Sequence, residues 1–564
     1  MNNEKSAAKN RLFIFIILIV VLLFSIFLNI YILVLDNRVS TRSVGIASKI
    51  FDLDFTAKER KMMARSVKRN QSRFDDLREL TLDNSVPPAI TFSPILPGMI
   101  FDKKKSSFRL SKQPNIRAPK NIEDVAFYPV TQLAQLLKSR QITSVELTKM
   151  YLRRLKEVGQ GLKCVITLME DPALEQARKA DEEIRRGRYR GPLHGIPWGA
   201  KDLLATKGIK TTWGAAPYKD QVFQTNATVV ERLNEAGAVL VAKLSMGALA
   251  MGDVWYAGKT LNPWNPEQGS SGSSAGSAAA TAAGLVGFAI GTETLGSIVS
   301  PATRCRVTGL RPTYGRVSRY GAMALSWSMD KIGPICRSVE DCAIVFNAIY
   351  GPDGKDLTLM DLSFQWNPSM KLKDLRIGYL KTAFEKDTVR VEMNEMVLET
   401  LRTLGVDLIP MELPDYPVSP IRFVLSAEAA AAFDELTRSN LDDLLVRQDR
   451  GAWPNSFRTS RLIPAVEYIQ ANRARTVLME RMAEKMKDID VFVTPSYGGN
   501  VLTLTNLTGH PCVVVPIGAD EEGNSVSISF IGDLFEEGKS LFVAKAFQDA
   551  TEFHRQYPKL EGTE

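Results

Sequence analysis

Two stretches of this 564-residue chain hold side chains whose types and spacing could do chemistry. Residues 269–284, GSSGSSAGSAAATAAG, are drawn only from Gly, Ser, Ala and Thr, a composition shared with flexible linkers. A linker has no apolar sequel. This stretch runs on through LVGFAIGTETLGSIVSPATRC, and the alanines among residues 278–283, around Thr281, favour a tightly packed helix. Small residues there let backbone approach backbone. Gly272-Ser273-Ser274-Ala275-Gly276 also satisfies G-x-S-x-G, a nucleophile-elbow pattern with Ser274 at its centre. An elbow needs a preceding strand, which NPWNPEQGS does not resemble, and a histidine partner, here His510 or His554. The second stretch, GIPWGAKDLL, sets Lys201 in a strand-like, nearly uncharged run. Burial disfavours an ammonium ion and can turn a lysine into a base. The bland alternative is a snorkelling or salt-bridged lysine, with Asp202 beside it.

Other chemistries have less material. The five cysteines form no C-x-x-C pair and only three histidines exist, so neither a zinc cluster nor a disulfide framework is expected. His194 and His510 read as turn residues and His554 as a surface residue of the last helix. Cys305 lies near the serine-rich stretch, but a thiol nucleophile would want an activating base.

The elements that must position these residues alternate in type. TSVELTKMYLRRLKEVG from Thr143 reads as a helix with Gly159 as its stop, and NATVVERLNEAGAVLVAKL from Asn226 as a helix, a glycine stop and a strand. Short strands recur as LRIGY, VFVTP and CVVVP. The order predicts an α/β protein with a largely parallel or mixed central sheet flanked by helices.

The front of the chain differs from its body. Residues 1–120 hold 21 Lys/Arg and 10 Asp/Glu, whereas residues 121–564 carry a net charge of −3. A nucleic-acid-binding body is therefore not expected. Residues 12–35 are free of charge, which predicts an uncleaved single-pass transmembrane helix and a membrane localisation. Basic residues flank the run equally, leaving its orientation open. Thr56 and Glu59 form a capping-box start to a further helix, and DKKKSSFRLSKQPNIRAPK from Asp102 is basic and proline-marked. Both read equally as headgroup-facing segments or as a solvated helix and linker. The expected divisions are an anchor over residues 1–36, a basic extension over 37–120 and a catalytic domain over 121–564.

Together, PLHGIPWGAKD, GSSAGSAAATAAGLVGFAIGTETLGSI, GLRPTYGRVSRYG and DKIGPICRSVEDC resemble the amidase signature family. The resemblance implies that family's mixed-sheet fold and a Ser-Ser-Lys triad. Lys201 matches the base, Ser273 the bridging serine with a cis peptide bond, and Ser297 the nucleophile. Backbone groups of Thr294, Leu295, Gly296 and Ser297 match the oxyanion hole, and Ala250 a pocket-lining position. Leu295 stands where the family has the first of two glycines, Glu293 replaces an aspartate, Val299 an arginine, and Arg306 a common glycine. The implied activity is hydrolysis of linear amides without metal or cofactor, by a membrane-anchored enzyme, with a homodimer left open. The alternatives are a catalytically impaired binding protein and a glutamine-hydrolysing amidotransferase A-type subunit.

Overall fold

The structure, a computed structural model, describes residues 2–36, 39–80, 82–101 and 108–560. The chain divides into two compact units, residues 1–83 and 84–564.

The first unit is helical: α1 (Asn2–Asp36), α2 (Thr41–Ile50) and α3 (Ala57–Arg78). The expected capping box opens α3, with Thr56 accepting from Glu59 N–H and Glu59 accepting from Thr56 N–H. No residue of α3 is buried. The expected membrane anchor is not upheld. Among the described residues no helix is long and apolar enough to cross a membrane. Residues 28–35 of the expected span lie outside those whose side chains are described, as do residues 102–107 of the basic stretch. The membrane localisation expected from this run is overturned with the anchor.

The second unit is built on one eleven-stranded mixed sheet. Its strands are β1 (Val165–Leu168), β2 (Pro197–Lys201), β3 (Val239–Leu244), β4 (Phe288–Glu293), β5 (Thr308–Arg311), β6 (Lys331–Cys336), β7 (Ile377–Leu380), β8 (Ile409–Met411), β9 (Val491–Pro495), β10 (Cys512–Ala519) and β11 (Ser525–Gly532). They lie in the order β1-β3-β2-β4-β6-β5-β10-β11-β9-β7-β8. β2 runs parallel to both β3 and β4, and β7 parallel to β8 and β9; the remaining neighbours are antiparallel. Alternation divides the core between the two faces. Trp198, Ala200, Leu240, Phe288 and Ile290 belong to one apolar cluster. Val239, Val241 and Ala289 belong to the other.

Helices cover these faces, among them α4 (Val130–Lys138), α5 (Ser144–Glu157), α6 (Glu170–Arg185), α7 (Thr228–Glu235), α8 (Ala275–Ala282) and α9 (Val299–Arg304). Thr143 caps α5 and Gly237, at φ +79°, turns the chain from α7 into β3. The serine- and alanine-rich stretch becomes α8, buried throughout its length against β2, β3 and β4. A Cβ on Gly276 would come within 2.5 Å of Cys164 O and Ser245 N, so this helix approaches backbone at a distance that only glycine permits.

Candidate active site

Lys201 ends β2, and alternation turns it and Asp202 to opposite sides of the sheet. Asp202 is then occupied elsewhere. It faces Lys243 of β3, with Nζ and Oδ1 3.0 Å apart, and its Oδ2 accepts from Thr212 N–H and Oγ1–H at 2.7 and 2.5 Å. The salt-bridged alternative for Lys201 does not hold. Its Nζ is surrounded by hydroxyls: Ser273 Oγ at 2.8 Å, Ser274 Oγ at 3.0 Å and Thr292 Oγ1 at 2.8 Å. Burial drives the Lys201 pKa down to about 7, against a smaller opposing pull from Asp330 and Glu293.

The two serines are distinguished by their other bonds. Ser274 Oγ donates to Thr292 O at 3.1 Å and accepts from Thr292 N–H at 3.1 Å. Its proton and one lone pair are therefore committed to β4, leaving a lone pair for a Lys201 N–H. Ser273 follows a cis Gly272–Ser273 peptide, and a Cβ on Gly272 would overlap Gly252 O at 1.8 Å. The elbow expectation therefore finds Ser274 at the mouth of α8 but already engaged. Contrary to the sequence reading, Asn265–Gly269 does form a strand; it pairs locally with Leu261–Asn262 in a two-stranded hairpin, where exposed polar residues suffice. His510 bonds Thr508 Oγ1 at 2.8 Å, and burial pushes its pKa down to about 3. His194 faces Glu183 at 3.2 Å. His554, expected on a helix surface, is half-buried in the short turn Phe553–Arg555. Burial pushes the Cys305 thiol far up.

Ser297 sits in the loop between β4 and α9, 8% exposed, and its carbonyl accepts from Ser274 N–H at 3.2 Å. That bond brings the two serine-bearing turns side by side. The left-handed residue of the loop is Gly296, at φ +85°, whereas Leu295 is not left-handed, so leucine there carries no steric penalty of that kind. Glu293 shapes the loop from beneath. Its Oε2 accepts from Ile298 N–H at 2.9 Å and Val299 N–H at 3.0 Å, while its Oε1 accepts from Arg311 and Asn506, each at 2.8 Å. Burial would raise this carboxyl, but Arg311 and the hydrogen bonds hold it at about 2. Thr294 Oγ1 donates to Asp330 Oδ1 at 2.5 Å.

Sequence reasoning had Glu293 only as a replaced aspartate and missed Thr292 and Asp330. All three stand in quoted motifs, but their partners lie up to 213 residues away in sequence. Ala250, at φ +63°, lines a cavity of about 250 Å³ together with Thr292 and Thr294.

Residues 146–505 match the family model described as Amidase. The A-type subunit of glutamyl-tRNA(Gln) amidotransferase from Coxiella burnetii is 34% identical over 480 residues, covering 76% of this chain and 99% of its own length. The native peptide amidase of Stenotrophomonas maltophilia is similar in structure, with a TM-score of 0.69 and 29% identity, covering 78% of this chain and 100% of that one. A bacterial aryl acylamidase shares the fold at a TM-score of 0.67 and 21% identity, over 77% of this chain and 98% of its own.

Proposed function

Because the chain belongs to the amidase family, we propose that it hydrolyses linear carboxamides through an acyl-enzyme on Ser297, with Ser273 relaying protons to and from Lys201. The observation that carries this reading is the asymmetry around Lys201 Nζ. A neutral amine has two N–H donors and one lone pair. Ser274, its proton committed to Thr292 O, offers only an oxygen to these donors, so of the two serines it is Ser273 whose proton can meet the lone pair.

Chemistry follows from that arrangement. Ser297 Oγ attacks the amide carbonyl carbon as its proton passes to Ser273 and the Ser273 proton passes to Lys201 Nζ. The carbonyl oxygen takes the electron pair, and N–H groups of the turn formed by Thr294, Leu295, Gly296 and Ser297 stabilise it. Collapse of the tetrahedral centre breaks the C–N bond. The proton held on Lys201 returns through Ser273 to the departing amine. Water then attacks the acyl-enzyme, surrenders its proton by the same route, and releases the acid as Ser297 recovers its hydrogen. Ala250 borders the substrate.

Fluorophosphonate labelling of the purified protein tests the assignment. Label should be present in the wild type, absent from Ser297→Ala, weak in Lys201→Ala and retained in Ser274→Ala. Label retained by Ser297→Ala but lost from Ser274→Ala refutes the mechanism. No labelling of the wild type would favour the impaired binding protein, a reading that the conformation of Leu295 weakens.

A second reading, in which the protein releases ammonia from glutamine for a larger amidotransferase, is favoured by the match to nearly the whole length of the Coxiella relative. Glutamine hydrolysis that appears only with an added partner protein would select it.

A further inference from the structure

The cavity of about 250 Å³ beside residues 292–294 is closed on one side by residues 84–91, which lie outside the span of the family match. Its floor is Thr292, whose Oγ1 meets Lys201 Nζ, and Thr294, held by Asp330. Leu203, Ala250, Met323, Leu325 and Trp327 make its inner walls largely apolar. The sequence NSVPPAIT crosses these walls and is fastened at both ends. Asn84 Oδ1 accepts from Ala324 N–H at 2.7 Å, and its Nδ2 donates to Ala324 O at 3.0 Å and Ala432 O at 3.4 Å. Just past the other end, the Phe92 ring lies edge-on to Tyr314, with centroids 5.0 Å apart, and the Arg475 guanidinium stands 3.5 Å from its centroid. Between the fastenings Pro87 and Pro88 fix φ and lack N–H donors, so the span is stiff in both its folded and unfolded forms.

We propose that residues 84–91 are a wall of the substrate site, selecting a compact, uncharged, apolar group next to the scissile amide. This rests on the hydrolase reading above. Size follows from volume: at ~30 Å³ per water-sized unit, the cavity holds roughly eight heavy atoms, a single aromatic ring or a short branched chain. Charge follows from the lining. Arg319 is paired with Asp356 at 2.9 Å and Lys355 with Glu231 at 3.2 Å, Lys331 Nζ donates to Met329 O, and Asp330 already accepts from Thr294, Leu325 N–H and Ser326 N–H. A charged substituent would meet no unengaged partner among these groups, whereas an apolar one would meet Leu325 and Trp327.

The test uses the full chain with phenylacetamide, acetamide and dodecanamide as probes. Ala89→Asp places a carboxylate on the strap and Asn84→Ala releases its first fastening. Each should lower kcat/KM for phenylacetamide about tenfold, leaving acetamide within about twofold, with Ala89→Gly at the wild-type ratio. Equal losses for both small amides, or no loss in either, overturn the proposal. The second readout is binding to Ser297→Ala, monitored through a phenylacetamide quench of fluorescence that disappears in Trp327→Phe. Adding Ala89→Asp should weaken that binding about tenfold, and dodecanamide should bind more weakly than phenylacetamide. Dodecanamide binding as tightly overturns the size limit. Should the wild type hydrolyse no amide while binding follows this pattern, the hydrolase reading fails and the wall stands. Should hydrolysis depend on Ser297 while the strap variants leave selectivity unchanged, the wall fails alone.

Discussion

Two lysines on neighbouring strands, Lys201 on β2 and Lys243 on β3, are both fully buried, and they meet different fates. Lys243 faces the Asp202 carboxylate at 3.0 Å, with Leu204 O and Thr211 Oγ1 completing its shell at 2.9 and 2.7 Å. Burial lowers its pKa, and Asp202 pulls in the opposite direction. Lys201 meets three hydroxyls and no carboxylate within bonding distance, and is driven down to about 7. The difference teaches that burial alone does not make a base. What matters is whether the shell answers the charge with an anion or only with dipoles.

The sharpest way to break this comparison is to remove each lysine. Lys201→Met should leave the protein folded and lower kcat by about 10²–10⁴ in amide turnover assays. Lys243→Met should instead strand a buried Asp202 and lose about 3–5 kcal/mol in urea unfolding, much of it recovered by adding Asp202→Leu. Activity loss without destabilisation in Lys243→Met would undo the distinction.

The serines on either side of Lys201 extend it. Ser273→Ala removes the proposed relay and should lower kcat by about 10²–10³ in single-turnover measurements. Ser274→Ala removes bonds to Thr292 instead, leaving Thr292 N–H unpaired, and should lose about 1–3 kcal/mol of stability while fluorophosphonate labelling persists.

Titration sharpens the same contrast with a smaller effect. kcat/KM should rise about tenfold per pH unit up to about 7, where Lys201 loses its proton, and then level. The native state binds fewer protons at Lys201 than the unfolded chain does between about 7 and the ordinary value of 10.5, so its contribution makes stability rise with pH across that window. Lys201→Met should remove that slope in unfolding experiments run at a series of pH values. The smallest effect belongs to Leu295→Gly. Since Leu295 is not left-handed, glycine should change the unfolding free energy by about 1 kcal/mol and leave Ser297 labelling intact.

Local signals in the chain located much of this molecule. Capping pairs at Thr143 and Thr56, the glycine after α7, and the β-branched runs of β3, β9 and β10 each act over a few residues, and each produced its element. Lys201, Ser273 and Ser297 came together as candidates only through the resemblance of their motifs to the amidase signature family, because the local G-x-S-x-G spacing by itself singled out Ser274. The apolar run of α1 misled, because its composition indicated a bilayer span that no described helix provides. The wall at residues 84–91 was hidden because its fastenings, Ala324, Ala432, Tyr314 and Arg475, are more than 200 residues distant in sequence.

The sequence by itself determined which residue types stand at the ends of β2, β4 and the turn before α8, since periodicity and turn chemistry are local. Only the tertiary structure decided that Asp202 belongs to Lys243, that the proton of Ser274 is spent on Thr292, and that Glu293 answers Arg311 beneath the Ser297 loop. Those decisions turn on desolvation and pairing between groups far apart in the chain, and they fix which lysine loses its charge.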